Sequence, residues 1–168
     1  MKRTVFILCS LVFVAFLFSL ASAADKAPSF CLKNLAGTNF CLEEFSGDVR
    51  VLVFWASWCQ PCKPLMTFMN GLYQEKWKEG LTVFAVNEDG PQSRALTKST
   101  VAQLGIKYPC LLDSDKSVLK SYNPQLSLPY LVIIDKSGNI KYRRASYDAS
   151  MEADLKKLIY NLLEEPAP

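Results

Sequence analysis

The run Val49-Arg50-Val51-Leu52-Val53-Phe54-Trp55, apolar but for Arg50, leads within four residues into Trp58-Cys59-Gln60-Pro61-Cys62. A run of that length, rich in β-branched and aromatic residues, suits a strand buried on both faces. Pro61 onward repeats apolar residues at helical spacing (Leu65, Met66, Met69, Leu72, Tyr73, Trp77) to Lys78, and Gly80 is placed to stop the helix. The two cysteines therefore lie where a buried strand turns into a helix. A helix N-terminus presents unpaired N–H groups and a positive dipole end, which stabilise an anion such as a thiolate. Cysteine pKa values at such sites fall from ~8.5 toward ~7 or below. Cys59 is thus the candidate nucleophile, and Cys62, one turn on and shielded, the candidate resolving thiol.

The compartment sets how the six cysteines are read. Lys2 and Arg3 precede an apolar stretch, Val5 to Leu20, and Ala21-Ser22-Ala23 is a signal-peptidase pattern. The expectation is a signal peptide over 1–23, cleaved or retained as a membrane anchor, and a folded domain over 24–168 that faces outward, periplasmic or otherwise exported. Cys9, inside the apolar stretch, is read as a small hydrophobe. Removing 1–23 leaves 17 basic against 16 acidic residues, a balance that offers nothing to nucleic acid. The chain has no histidine, which removes imidazole as base, thiol activator and metal ligand. Without it, and without a second close cysteine pair, a zinc site is not expected, and no cofactor is implied.

The remaining elements alternate. Ser29 to Leu42 reads as a hairpin turning at Asn34–Gly37, Leu81 to Val86 as a buried strand, and Pro91/Ser93 to Gly105 as a helix with Leu96, Val101 and Leu104 on its apolar side. Leu128 to Asp135 and Ile140 to Arg143 read as strands about the turn 136–139. A last helix carries Met151, Leu155, Leu158, Ile159, Leu162 and Leu163, with Asp148 or Ser150 to cap it. The layout is α/β, three layers α/β/α around a central mixed sheet with an N-terminal β-hairpin. Pairing that hairpin symmetrically about Ala36 sets Cys31 opposite Cys41, either as a structural disulfide or as a second redox pair. Cys110 reads as a buried core thiol, Met66 and Met69 as packing, and Lys63 as a solvated charge near the thiols.

The run Phe54-Trp55-Ala56-Ser57-Trp58-Cys59-Gln60-Pro61-Cys62-Lys63 resembles the active-site segment of the thioredoxin superfamily, particularly its exported TlpA/ResA-like branch. The resemblance extends over roughly Ala27 to Leu163, through the hairpin, Val83–Asn87, Tyr108–Asp113 and Leu128-Pro129. It implies a thioredoxin fold and a thiol-disulfide oxidoreductase in which Cys59 and Cys62 are catalytic, supported by Trp58, Gln60, Pro61 and a cis Pro129 that presents backbone to substrate. It also implies protein thiol or disulfide clients, a membrane-bound electron donor and a monomer, with net reduction as the direction and cytochrome c biogenesis as one client pathway. A protein thiol oxidase and a non-catalytic copper(I) carrier on the same fold are the alternatives. Two departures stand out. Leu65 replaces the glutamate of members that reduce apocytochrome thiols, and Val53 replaces thioredoxin's buried aspartate. Glu88 and Asp89 are the candidate replacement acids, and Tyr130, after the proline, is expected to make the substrate groove bulkier.

Overall fold

The computed structural model describes residues 25–167, so the segment expected to be a signal or anchor, and Cys9, lie outside the described residues. Seven strands form one mixed sheet in the order β2-β1-β5-β4-β3-β6-β7. They are β1 (Cys31–Asn34), β2 (Asn39–Cys41), β3 (Val49–Trp55), β4 (Leu81–Asn87), β5 (Cys110–Leu112), β6 (Tyr130–Ile134) and β7 (Ile140–Ala145). The helices are α1 (Cys62–Lys76), α2 (Arg94–Gln103), α3 (Ser117–Tyr122) and α4 (Glu152–Glu164). Strands β3, β4 and β5 run parallel, and the pairs β1–β2, β1–β5, β3–β6 and β6–β7 are antiparallel. Among the described residues no helix is long and apolar enough to cross a membrane.

The central strands are buried throughout β3 and nearly so in β4, and their alternation divides the core in two. Val49, Val51, Val53 and Trp55 face one layer with Leu81, Val83 and Ala85. There Leu65, Met66, Met69 and Leu72 of α1 and Leu155, Ile159 and Leu162 of α4 complete the packing. Leu52, Phe54, Phe84 and Val86 face the opposite layer, covered by Val118, Leu119 and Tyr122 of α3 and by Leu42. This is the three-layer α/β/α arrangement. Each fully buried aliphatic or aromatic side chain contributes roughly 1.5–3 kcal/mol, so this double-sided strand is the main source of stability. After α1 a short 3-10 turn ends at Gly80 with φ +89°, a left-handed conformation that glycine adopts without strain.

Two short elements, β5 and α3, are not signalled by periodicity. Pairing, not pattern, makes β5 a strand: Cys110, Leu111 and Leu112 lie against Ala85, Val86 and Asn87. Asp113 starts α3 by accepting the Val118 and Leu119 amides at 3.2 and 2.8 Å. A correction falls on α2. Leu96 is 54% exposed, whereas Thr97 and Thr100 are buried, because Thr97 bonds the polar groups at the end of β4 and turns that side inward.

Cys31 stands opposite Cys41 in the hairpin register, and the two are joined by a disulfide. The same hairpin is closed independently: Asn34 Oδ1 accepts the Ala36 and Thr38 amides, both at 2.9 Å. The cross-link closes a short loop, sequence separation 10, so the double variant Cys31→Ser/Cys41→Ser is expected to keep the fold and lose about 2 kcal/mol. Urea unfolding checks this as a lower midpoint at unchanged slope.

Glu88, just past β4, is buried with no hydrogen-bond partner for either carboxyl oxygen among the described residues. Burial pushes its carboxyl up to about 9, and the Asp113 carboxylate beside it adds to the rise. Between the ordinary value of 4.5 and about 9 the folded chain therefore holds a proton that the unfolded chain has lost, so stability falls as pH rises through that window. Glu88→Gln is expected to stabilise the chain at pH 8 and to lose that advantage toward pH 5, by up to about 1.4 kcal/mol per pH unit. Equal wild-type and variant urea midpoints at both pH values would show that Glu88 carries no such cost.

Candidate functional site

The site grows out of the end of β3. Beyond Trp55, the Cys59 amide donates to Ala56 O at 3.0 Å, the Cys62 amide to Cys59 O at 3.2 Å and the Lys63 amide to Gln60 O at 3.2 Å. These successive turns bring Cys59 and Cys62 together, and they form a disulfide. The first helical residue is Cys62, with Pro61 at the cap in helical conformation (φ −69°), so Cys59 lies just ahead of the helix N-terminus. Pro61, whose fixed φ is already helical, sets where regular winding begins.

That arrangement changes the electrostatics of the helix end. The Cys62 and Lys63 amides are used in the turn, and Pro61 and Pro64 have no N–H to give. The dipole still points its positive end at Cys59, but few free donors remain to bond a thiolate directly. Lys63 donates its ammonium to Gln60 Oε1 at 3.2 Å.

Burial differs sharply within the motif. Cys62 is fully buried, Cys59 is 3% exposed, and Trp58 between turn and solvent is 68% exposed. Gln60 and Pro61 are exposed. Pro129, preceded by a cis Leu128–Pro129 bond, stands immediately before β6, whose Tyr130 pairs with Phe54 of β3. Leu128 packs against both cores, one of which contains the two cysteines. Tyr130 does not narrow a groove at the site. Its ring lies on the opposite layer near Phe54, with its hydroxyl donating to Tyr122 O at 3.2 Å, because strand alternation turns it away from the cysteine face. Leu65 and Val53, the two departures from the resemblance, are fully buried in the core with the cysteines.

The two acids after β4 part company. Glu88 lies beside Asp113, with Asp115 and Lys116 nearby. Asp89 reaches the cysteine turn, bonding Ser57, Asn87 and Thr97. Ser57, Asn87 and Thr97 carry no sequence signal of function, since each is a common polar residue and only the fold brings them together. Cys110 is a buried free thiol facing Trp55, and burial pushes it up to about 12, which keeps it protonated and unreactive. Among the described residues no group of three metal-ligating side chains converges.

Residues 23–143 match the AhpC/TSA family. Thiol-disulfide oxidoreductase ResA of Geobacillus kaustophilus (strain HTA426) is 33% identical over 120 residues, 71% of this chain and 67% of that protein. ResA of Bacillus thuringiensis subsp. konkukian (strain 97-27) is 32% identical over 115 residues, 68% of this chain and 65% of that protein. The matched region thus spans about two thirds of the length of these relatives. A Chlorobium tepidum protein assigned as thiol:disulfide interchange protein DsbE superposes with a TM-score of 0.76 at 28% identity, covering 83% of this chain and 96% of the other. A Bacteroides thetaiotaomicron protein in solution superposes with a TM-score of 0.77, covering 87% and 92%. At 24% identity that likeness bears on the fold alone. With a thioredoxin-like sheet, a cysteine pair between β3 and α1 and a family match over most of its length, the chain belongs to the AhpC/TSA family.

Proposed function

We propose that this chain is an exported thiol-disulfide oxidoreductase that exchanges dithiol for disulfide with client proteins, working as a net reductant. The observation that carries the reading is the Cys59–Cys62 disulfide at the junction of a buried strand and a helix. In the reduced chain, Cys59 thiolate attacks a client disulfide and one client sulfur leaves as a thiol. Cys62 then attacks the Cys59–client bond, which releases the second client thiol and closes Cys59–Cys62. A membrane-bound dithiol donor returns the pair to the reduced state.

Burial supports the division of labour, since Cys62 is closed to a client and Cys59 is the sulfur nearer the surface. Trp58, Gln60 and Pro61 are assigned to the approach because they are exposed beside the pair, and Pro129 because it precedes β6, the neighbour of β3. The scarcity of free N–H donors at the start of α1 supports the reducing direction, because a poorly stabilised thiolate makes the reduced form a readier electron donor. Segment 1–23 would direct export of the domain over 24–168, and the Cys31–Cys41 bridge suits an oxidising compartment.

Insulin-disulfide reduction in the presence of dithiothreitol tests the reading. Wild type is expected to accelerate insulin precipitation, Cys59→Ser to abolish the acceleration, and Cys62→Ser to accumulate a mixed disulfide that dithiothreitol releases. Stoichiometric copper(I) binding without turnover would overturn the reading in favour of a carrier.

A further inference from the structure

Behind the Cys59 turn lies a buried polar network with one charge in it. Asp89 Oδ2 accepts the Ser57 amide at 3.0 Å, Asn87 Nδ2 at 2.9 Å and the Thr97 hydroxyl at 3.0 Å, while Oδ1 accepts the Ser57 hydroxyl at 3.1 Å. All four residues are buried. Every partner donates, a pattern suited to a carboxylate, which only accepts. Asp89 takes no part in the ion pairs of the described residues. Arg94, which lines the same cleft of about 190 Å³, donates instead to Leu35 O at 3.4 Å. Asp89 also adds to the effect of burial on the Cys110 thiol, which shares a core with Cys59 and Cys62.

The geometry points to Asp89 as a positioning residue of the redox centre, one that anchors the turn carrying Cys59 and, as an unneutralised buried anion behind it, holds the Cys59–Cys62 pair toward the reducing end. This rests on the reading of Cys59 and Cys62 as the exchanging pair. Ser57 stands two residues before Cys59, and its amide and hydroxyl are both tied to one carboxylate. Removing that carboxylate frees the residue that starts the turn. The electrostatic half follows from the half-reaction, in which two electrons and two protons convert the disulfide to two thiols and the more acidic thiol then ionises. A nearby negative charge disfavours the thiolate and therefore the reduced form, which makes the couple a stronger reductant. Asp89 is not offered as a proton donor or acceptor in exchange.

The test is a dithiothreitol redox titration of the full chain and of Asp89→Asn, followed by Trp58 fluorescence. The substitution is expected to shift the exchange equilibrium about tenfold toward the reduced pair, equivalent to ~30 mV for a two-electron couple. Alkylation of Cys59 at pH 7 should quicken several-fold as the thiolate fraction rises. Ser57→Ala, which keeps the charge and the amide bond, should leave the equilibrium within about twofold. Asp89→Ser, which retains an acceptor for the Ser57 amide, gives the same reading if the asparagine variant does not fold. An equilibrium within twofold of wild type, a shift in the opposite direction, or failure of both variants to fold would overturn the redox role and leave Asp89 as scaffold. A wild-type chain inactive on insulin overturns the oxidoreductase reading alone, because the titration needs no client.

Discussion

Burial of β3 on both faces is the constraint from which the rest of the structure follows. Its odd-numbered side chains need one cover and its even-numbered ones another, so helices must pack on both sides of the sheet. Its two edges take β4 in parallel and β6 in antiparallel register, leaving no backbone exposed to solvent along the strand. A chain leaving such a strand can only turn at its end, and the cysteine motif occupies that turn. Arg50, the one charge within the run, is accommodated because it lies at the strand's other end. Its guanidinium donates to Leu42 O at 3.3 Å and Asp135 O at 3.1 Å, which clamps the segment before β3 to the turn between β6 and β7. Burial lowers its pKa, and the acids around it, Asp135, Asp48 and Glu43, offset part of that cost. At the same turn Gly138 has φ +85°, a left-handed conformation that other residues adopt only with strain.

At the active end, fold and electrostatics act on the same few atoms. The helix dipole of α1 favours a thiolate on Cys59, while two prolines and two committed amides withhold the hydrogen bonds that would make that effect large. Asp89 sets a negative charge behind the turn. Each contribution is of modest size, but those that oppose the thiolate share one sign, so the proposed reducing direction does not depend on an acid at the positions of Val53 or Leu65. Glu88 acts differently. It is a stability cost placed beside Asp113, and it bears on pH dependence of folding instead of on the sulfur chemistry.

Much of this was legible in the residues. Val49–Trp55 is the observed strand residue for residue, because a two-sided strand must be apolar at nearly every position, and α1 and α4 show helical periodicity since each packs one face on the sheet. The Cys31–Cys41 register followed from the turn at Asn34–Gly37, because strand pairing has period two and a fixed turn fixes the partners. Elements held by tertiary contact left no local trace. The three residues of β5 are a strand only because β4 and β1 flank them, and α3 is six residues long. Leu96 misled because an apolar residue at helical spacing was expected to face the core, whereas Thr97 won that side through hydrogen bonds. Tyr130 misled because the face it occupies depends on strand register, which the dipeptide Pro129-Tyr130 does not disclose. The Ser57–Asn87–Asp89–Thr97 network was invisible for the same reason: its members come from three elements.

Burial also imposes an order on the proposed exchange. With Cys62 closed to solvent and Cys59 at 3% exposure, an incoming thiol meets only one sulfur, and the displaced thiolate must be the one inside the core. Expelling a charge into an apolar layer is unfavourable unless it is promptly protonated or re-forms a bond. That instability favours return of Cys62 onto Cys59 over escape of a mixed disulfide, so resolution is built into the packing of α1 against β3. Specificity for clients then falls, in the proposed exchange, to the exposed residues Trp58, Gln60 and Pro61. The buried sulfur beneath is the same for every client.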